Sequence, residues 1–291
     1  HDSLKQIIIR SERMDLLTET IHYLEHFLPF ISEAVIITSS IDPDSFSLHC
    51  NTRLKFIWIQ SDYAAVQSPV SEHPFWWIAD DRIDPVFLLS EDNYRPLFPI
   101  TEDYFIENGM FKVYFCGDFF ALDFLSESHF FTSEARKTTD FLKEHHFPLL
   151  NYDSHMPQVI NKACFLKMVQ KYPETCKGDL DIRSIYINFV VYSNPDRYIP
   201  LPYQTLNWEF GPIHGESFVQ PKRFQFEHFD AALYEAGQPL SNFSQCWHDD
   251  TLLENINKIQ HYERDHQQRI STAIAEKIFS QIYEGQYREL P

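Results

Sequence analysis

Two adjacent carboxylates, Asp80 and Asp81, follow the apolar run Phe75-Trp76-Trp77-Ile78-Ala79 and precede Arg82. Carboxylate oxygens suit hard divalent cations, and Mg²⁺ or Mn²⁺ usually completes its shell with substrate phosphates and water. A metal held there would neutralise charge on a leaving diphosphate. The plain alternative is a solvated turn, with Asp84 starting the next one. A second group is Asn151-Tyr152-Asp153-Ser154-His155-Met156-Pro157. Asp153 or Ser154 could cap a helix opening at Pro157. His155 could ligate the metal, bind phosphate or act as a base, or be structural. Arg10 and Arg13 flank the end of an apolar run, and Arg183 lies in Asp181-Ile182-Arg183-Ser184. Guanidiniums there could meet phosphate oxygens, or pair with nearby acids such as Asp179 and Asp181. Trp247-His248-Asp249-Asp250 looks like a metal triplet, but capping of the last helices by Asp249 or Asp250 is the simpler reading.

The elements that must position these groups alternate. Lys5 to Arg10 is a short β-branched run, as expected of a buried parallel strand. Asp15 to Phe30 carries a helical apolar stripe through Leu16, Leu17, Ile21, Leu24, Phe27 and Leu28, with Pro29 near its end. Ala34 to Thr38, Leu54 to Ile59 and Phe75 to Ala79 read as the second, third and fourth strands. Such alternation predicts a mainly parallel α/β sheet flanked by helices. Ligands of open α/β sheets bind beyond the carboxyl ends of strands, which is where Asp80-Asp81 and Arg10 are expected.

The middle of the chain differs. Val86 to Leu89 and Tyr104 to Phe120 read as short aromatic-rich strands, with a hairpin turn at Asn108-Gly109. Helices are expected over Thr132 to His145, from Pro157 or Gln158 to Gln170 or Lys171, and over Asp181 to Val191. Phe147 to Tyr152 is expected to be extended. The stretch from Pro200 to about Ser244 reads as loop-rich. A helical pattern returns from Thr251 to Tyr283, and Ile270, Ile274, Ile278, Phe279 and Ile282 share one stripe. That stripe must pack on the domain or on a second copy, so a monomer or a homodimer is expected.

Composition narrows the class. Of 291 residues, 44% are hydrophobic and 23% charged, which suits a globular chain. Lys+Arg 24 against Asp+Glu 42 gives −18, a field that repels phosphate backbones, so no nucleic-acid partner is expected. Seven glycines, with neither GxGxxG nor GxxxxGK[ST], leave no glycine-loop phosphate cradle. Five scattered cysteines without CxxC predict reduced thiols and a cytoplasmic setting. HDSLKQIIIR has no basic start followed by a long apolar stretch, so no secretory signal is expected.

Strand, helix, strand, then an apolar strand ending in Asp80-Asp81-Arg82 resembles the nucleotide half of a GT-A glycosyltransferase. The pair departs from that fold's usual Asp-any-Asp, which leaves open which aspartate ligates and whether a metal is needed. Tyr152-Asp153-Ser154-His155-Met156-Pro157, Asn161-Lys162 and Arg183-Ser184-Ile185-Tyr186 are similar to segments of bacterial surface-polysaccharide transferases. A more distant likeness is to Stealth-type sugar-phosphate transferases, and the resemblance runs from about Lys5 to Asn188. It implies a transferase domain over 1–245, with a nucleotide half to about residue 100 and an acceptor half beyond it. A helical extension over 246–291 would pack on that domain.

The resemblance also implies roles. Asp80 and Asp81, with His155 as a further candidate ligand, would hold Mn²⁺ or Mg²⁺. Arg10, Arg13, Asp80, Asp81 and Arg183 would bind a nucleotide-sugar donor. Asp153 and His155 would be catalytic toward a glycan or lipid-linked acceptor, with peripheral association at the inner face of a membrane. A glycosyl-1-phosphate transferase and a non-enzymatic binding domain are the alternatives.

Overall fold

The computed structural model describes residues 3–61, 75–96, 99–119, 133–177, 179–203, 205–208 and 225–229. Trp247-His248-Asp249-Asp250, the Ile270–Ile282 stripe and the 246–291 extension lie outside the described residues.

The N-terminal alternation forms as expected. β1 (Gln6–Arg10) leads through α1 (Met14–Phe27) to β2 (Glu33–Thr38), and then through α2 (Pro43–His49) to β3 (Lys55–Gln60). Asp42 caps α2 by accepting from the Ser45 N–H at 2.8 Å, with Pro43 in the first turn. β1 pairs with β2, and β2 with β3, both in parallel. Ile7, Ile8 and Ile9 are fully buried, as both faces of a covered parallel sheet require.

The expected fourth strand is corrected. Trp76–Ala79 is a single 3₁₀ turn, and the strand beside β1 is β4 (Val86–Glu91). A short apolar run does not by itself distinguish a buried helical turn from a buried strand. Here Trp77 and Ile78 are buried while Trp76 is exposed, and Phe75 packs on Phe165 with ring centroids 5.8 Å apart.

Beyond β4, β5 (Tyr94–Pro96) is followed by the hairpin of β6 (Ile106–Glu107) and β7 (Met110–Phe115). Asn108 and Gly109 take φ of 53° and 78°, as a two-residue primed turn demands. Next come β8 (Gly117–Asp118), α3 (Ser133–Glu144), β9 (Leu150–Asn151) and β10 (Gln158–Asn161). Gln158 thus starts a strand, where a helix was expected. Asn161 caps α4 (Lys162–Lys171), accepting from the Cys164 N–H at 3.0 Å. α5 (Ile182–Ser193) is capped by Asp181. β11 (Tyr198–Pro202), β12 (Leu206–Trp208) and β13 (Phe226–Phe229) complete the described elements.

The central sheet has the order β10-β4-β1-β2-β3, parallel except for β10. Because β10 runs against β4, its start lies beside the carboxyl end of β4. The residues leading into it, Asp153 to Pro157, therefore sit at the sheet's carboxyl edge. Two three-stranded sheets stand apart from it, β11-β7-β6 and β12-β13-β5. The fold is mixed α/β with a mainly parallel central sheet. The described cysteines Cys50, Cys116 and Cys164 are free. Among the described residues no helix is long and apolar enough to cross a membrane.

Candidate functional site

The carboxyl ends of β1, β2 and β4 open into a cleft of about 340 Å³, lined among others by Arg10, Ser11, Arg13, Ile37, Glu91 and Asp92. This is where an open parallel sheet binds its ligand. Glu12 ties the wall together, accepting from the Ser39 N–H at 2.9 Å and the Ser40 hydroxyl at 2.6 Å.

Asp80 and Asp81 are not there. They lie before β4, at the amino edge of the sheet, where Gln6 Nε2 donates to the Arg82 carbonyl at 3.0 Å. Lys162 Nζ donates to the Asp80 carbonyl at 2.7 Å. Arg82 occupies both oxygens of the Asp80 carboxylate, Nε on Oδ1 at 2.9 Å and Nη2 on Oδ2 at 2.8 Å. That fork holds the Asp80 carboxyl down to about 2. With the strand reassigned, the expected carboxyl-edge position of this pair is corrected.

The acidic pair at the carboxyl edge is Glu91-Asp92. Glu91 Oε1 accepts from Arg10 Nη2 at 3.0 Å and from Arg183 Nη2 at 2.8 Å. Burial pushes its carboxyl up, but Arg183 and Arg10 together outweigh that and leave it below the ordinary range. Burial raises Asp92 to about 6, although the Ser11 hydroxyl donates to its Oδ2 at 2.8 Å. Arg13 pairs with Asp15 at 2.8 Å on the cleft rim.

Beyond Glu91 the expected residues Asp153, His155 and Arg183 do converge. Arg183 Nη1 donates to the Tyr94 hydroxyl at 3.3 Å and lies 3.8 Å from Asp153 Oδ1. His155 Nδ1 is 4.0 Å from Asp153 Oδ1 and 3.5 Å from the Tyr94 hydroxyl. Burial and the nearby Asp153 carboxylate push Asp181 up to about 7, against the 2.5 Å bond from the Ser184 hydroxyl. His155 itself has φ 51°, the left-handed region that non-glycine residues seldom enter. The turn is held on both sides. The Ser154 hydroxyl donates to the Tyr114 carbonyl, and the Thr205 hydroxyl to the carbonyls of Ser154 and His155. A left-handed residue fixed this firmly often marks a functional turn.

Behind the cleft lies a buried charge cluster. Arg95, 1% exposed, pairs with Glu19 at 2.9 Å and stands in register with buried Glu227 on β13. Thr20 accepts from Arg95 Nε at 3.0 Å and donates to the Asp92 carbonyl.

The Mn²⁺ or Mg²⁺ implied for Asp80, Asp81 and His155 finds no assembled donor set. Asp80 is forked by Arg82, and His155 lies at the opposite edge of the sheet. At the carboxyl edge, two guanidiniums already share Glu91. Among the described residues no group of three or more His, Cys, Asp or Glu gathers to hold a metal ion. The described residues do not fit the ion.

Glu91, Asp92, Tyr94 and His228 are absent from the reading of the sequence alone. Glu91-Asp92 carries the same signal as Asp80-Asp81, an apolar run ending in two acids. His228 carries no local signal, since only the pairing of β13 with β5 brings it near Tyr94.

No family model matches the chain, and no curated protein sequence matches it. Solved structures do show similarity. An active-site mutant of LgtC aligns at 10% identity over 77% of this chain and 86% of its own, with a TM-score of 0.42. The glycosyltransferase GlyE of Streptococcus pneumoniae TIGR4 aligns at 10% identity over 69% of this chain, with a TM-score of 0.37. The chain spans 45% of GlyE in that alignment. The apo form of GlyE aligns at 12% identity over 98% of this chain and 64% of its own, with a TM-score of 0.38.

Proposed function

We propose that the chain is a glycosyltransferase that moves a sugar from a nucleotide-sugar donor to an acceptor hydroxyl. The observation that carries this is the continuity between the cleft and the Asp153-His155-Tyr94 cluster through one carboxylate, Glu91, shared by Arg10 and Arg183. A donor laid along this path has its nucleoside over the ends of β1 and β2. Its diphosphate crosses the guanidiniums, and its sugar lies beside His155.

In the transfer, the acceptor oxygen bonds to the anomeric carbon as the bond from that carbon to the phosphate oxygen breaks. The electron pair leaves with the nucleoside diphosphate, toward Arg10 and Arg183. The acceptor proton passes to His155, or to Asp153 beside it. The acceptor is a glycan or lipid-linked glycan of bacterial surface-polysaccharide synthesis, handled in the cytoplasm or at the inner face of the membrane. That part rests on the resemblance of 152–157 and 183–186 alone.

A thermal-shift panel of nucleotides and nucleotide-sugars tests the reading. At least one nucleotide-sugar should raise the melting temperature, because a ligand of the folded state stabilises it by mass action. Incubation with that donor and acceptor glycans should then give a glycosidic product. A phosphodiester in the product would assign the chain to sugar-phosphate transfer instead. A panel with no shift at all would leave a binding or scaffolding domain.

A further inference from the structure

Arg10 and Arg183 converge on a single oxygen of Glu91, at 3.0 and 2.8 Å. Arg10 belongs to the cleft and Arg183 to the Asp153-His155-Tyr94 side. A divalent ion brought to that oxygen would meet two positive charges already in contact with it, so Glu91 is ill suited to ligate one. A guanidinium fork, in contrast, matches phosphate oxygens as well as it matches a carboxylate.

Arg183 is also tightly positioned. It leads from the capped first turn of α5, lies over the Tyr94 ring at 5.4 Å and is 12% exposed. Its Nε is buried with no acceptor among the described residues. A buried donor left unmet is costly, and an added acceptor on that guanidinium edge would satisfy it.

Building on the transferase reading, we infer that Glu91 is an internal counter-anion, displaced from Arg10 and Arg183 by the donor's diphosphate. The two guanidiniums then take the charge of the leaving nucleoside diphosphate with no resident divalent cation. Glu91 keeps the guanidiniums paired and preorganised while the site is empty. The exchange trades one carboxylate for phosphoryl oxygens, and no covalent bond changes in it.

Isothermal titration of UDP, GDP, CDP and inorganic pyrophosphate tests this, each run in EDTA and again in Mn²⁺. At least one nucleoside diphosphate should bind in EDTA, with Mn²⁺ changing its Kd less than about threefold. Glu91→Gln removes the competing charge and should tighten that binding about tenfold. Arg10→Gln should weaken it by a similar factor.

Binding that appears only with Mn²⁺ and disappears in Glu91→Gln makes Glu91 a metal ligand. The transferase reading then stands and the inference falls. A folded Glu91→Gln that binds no more tightly than wild type also overturns it. If Glu91→Gln does not fold, the wild-type comparison of EDTA with Mn²⁺ and the Arg10→Gln titration decide the matter. Failure of every nucleoside diphosphate in both conditions strikes the transferase reading itself.

Discussion

His155 and His228 lie face to face, with ring centroids 4.1 Å apart and planes within 10°. Tyr94 meets both edge-on, at 5.9 and 5.5 Å. Burial, and then the adjacent imidazole, drops His228 to about 3, so it stays neutral at any working pH. β13 thus supplies a neutral wall that orients the His155 ring toward Asp153. Two distant segments of chain meet to make the polar end of the site.

His155→Asn should lower turnover about 10²-fold or more, the scale of a lost acid–base group. Asparagine tolerates the left-handed φ, so the turn keeps its shape. Steady-state kinetics and a melting curve on the same preparation check it. A protein that melts early yet turns over normally per folded molecule would make His155 structural.

Asp81→Ala should leave transfer within about twofold of wild type, because Asp81 sits on the amino edge of the sheet, away from the cleft. Asp80→Ala breaks a fork with Arg82 that is half open to water, so it should cost about 0–1 kcal/mol. The Asp80 carboxyl is held at about 2, so its contribution is present above about pH 4 and lost as pH falls toward 2. Loss of activity in Asp81→Ala with unchanged stability would return the chemistry to the amino edge.

Residue pattern alone makes β1, β2 and β3, three of the five strands of the central sheet, legible. Ile7 to Ile9 and Val35 to Ile37 are β-branched runs bounded by polar turns, and the α1 stripe has a period of 3.6. The assignment fails at Phe75–Ala79 because five apolar residues fill a buried turn as readily as a strand. The failure moves the acidic pair to the wrong edge, since every carboxyl-edge argument inherits the strand it starts from. Arg10, Asp153, His155 and Arg183 are legible as residues that flank elements. Glu91, which Arg10 and Arg183 share, is signalled only as the end of an apolar run in two acids; its contacts across more than 80 positions leave no periodic trace.

Arg95→Leu should destabilise the protein by about 3–5 kcal/mol, the cost of stranding a buried carboxylate. Glu19 and Glu227 are 3% and 1% exposed, so water does not replace the guanidinium. Urea unfolding measures the change. Arg95→Lys keeps the charge but not the Nε bond to Thr20, and should fall between the two. A cost below about 1 kcal/mol in Arg95→Leu would show that the cluster is hydrated and does not pin β5 and β13 together.

Asp92 supplies a pH signature for the cleft. Burial raises its carboxyl to about 6, the Ser11 hydroxyl works against that, and Glu91 adds to it. The unfolded chain has the ordinary value of about 3.9. Between about pH 4 and 6 the native state therefore binds more protons, and its stability falls as pH rises. The contribution from the protonated form is full below about pH 4 and lost as pH passes 6. His228 acts in the opposite sense, since its folded value of about 3 lies below the unfolded value of about 6.5. It therefore adds stability as pH climbs from about 3 to 6.5. Asp181, raised to about 7, shares the sign of Asp92. Both groups are present in wild type and in Asp92→Asn, so they cancel in the difference between the two. Asparagine keeps an oxygen for the Ser11 hydroxyl and cannot ionise. The melting temperature of Asp92→Asn minus that of wild type should rise from about pH 4 to 7 and then level off. A flat difference across that range would mean that Asp92 ionises as freely as a surface carboxylate and that the floor of the cleft is open to water.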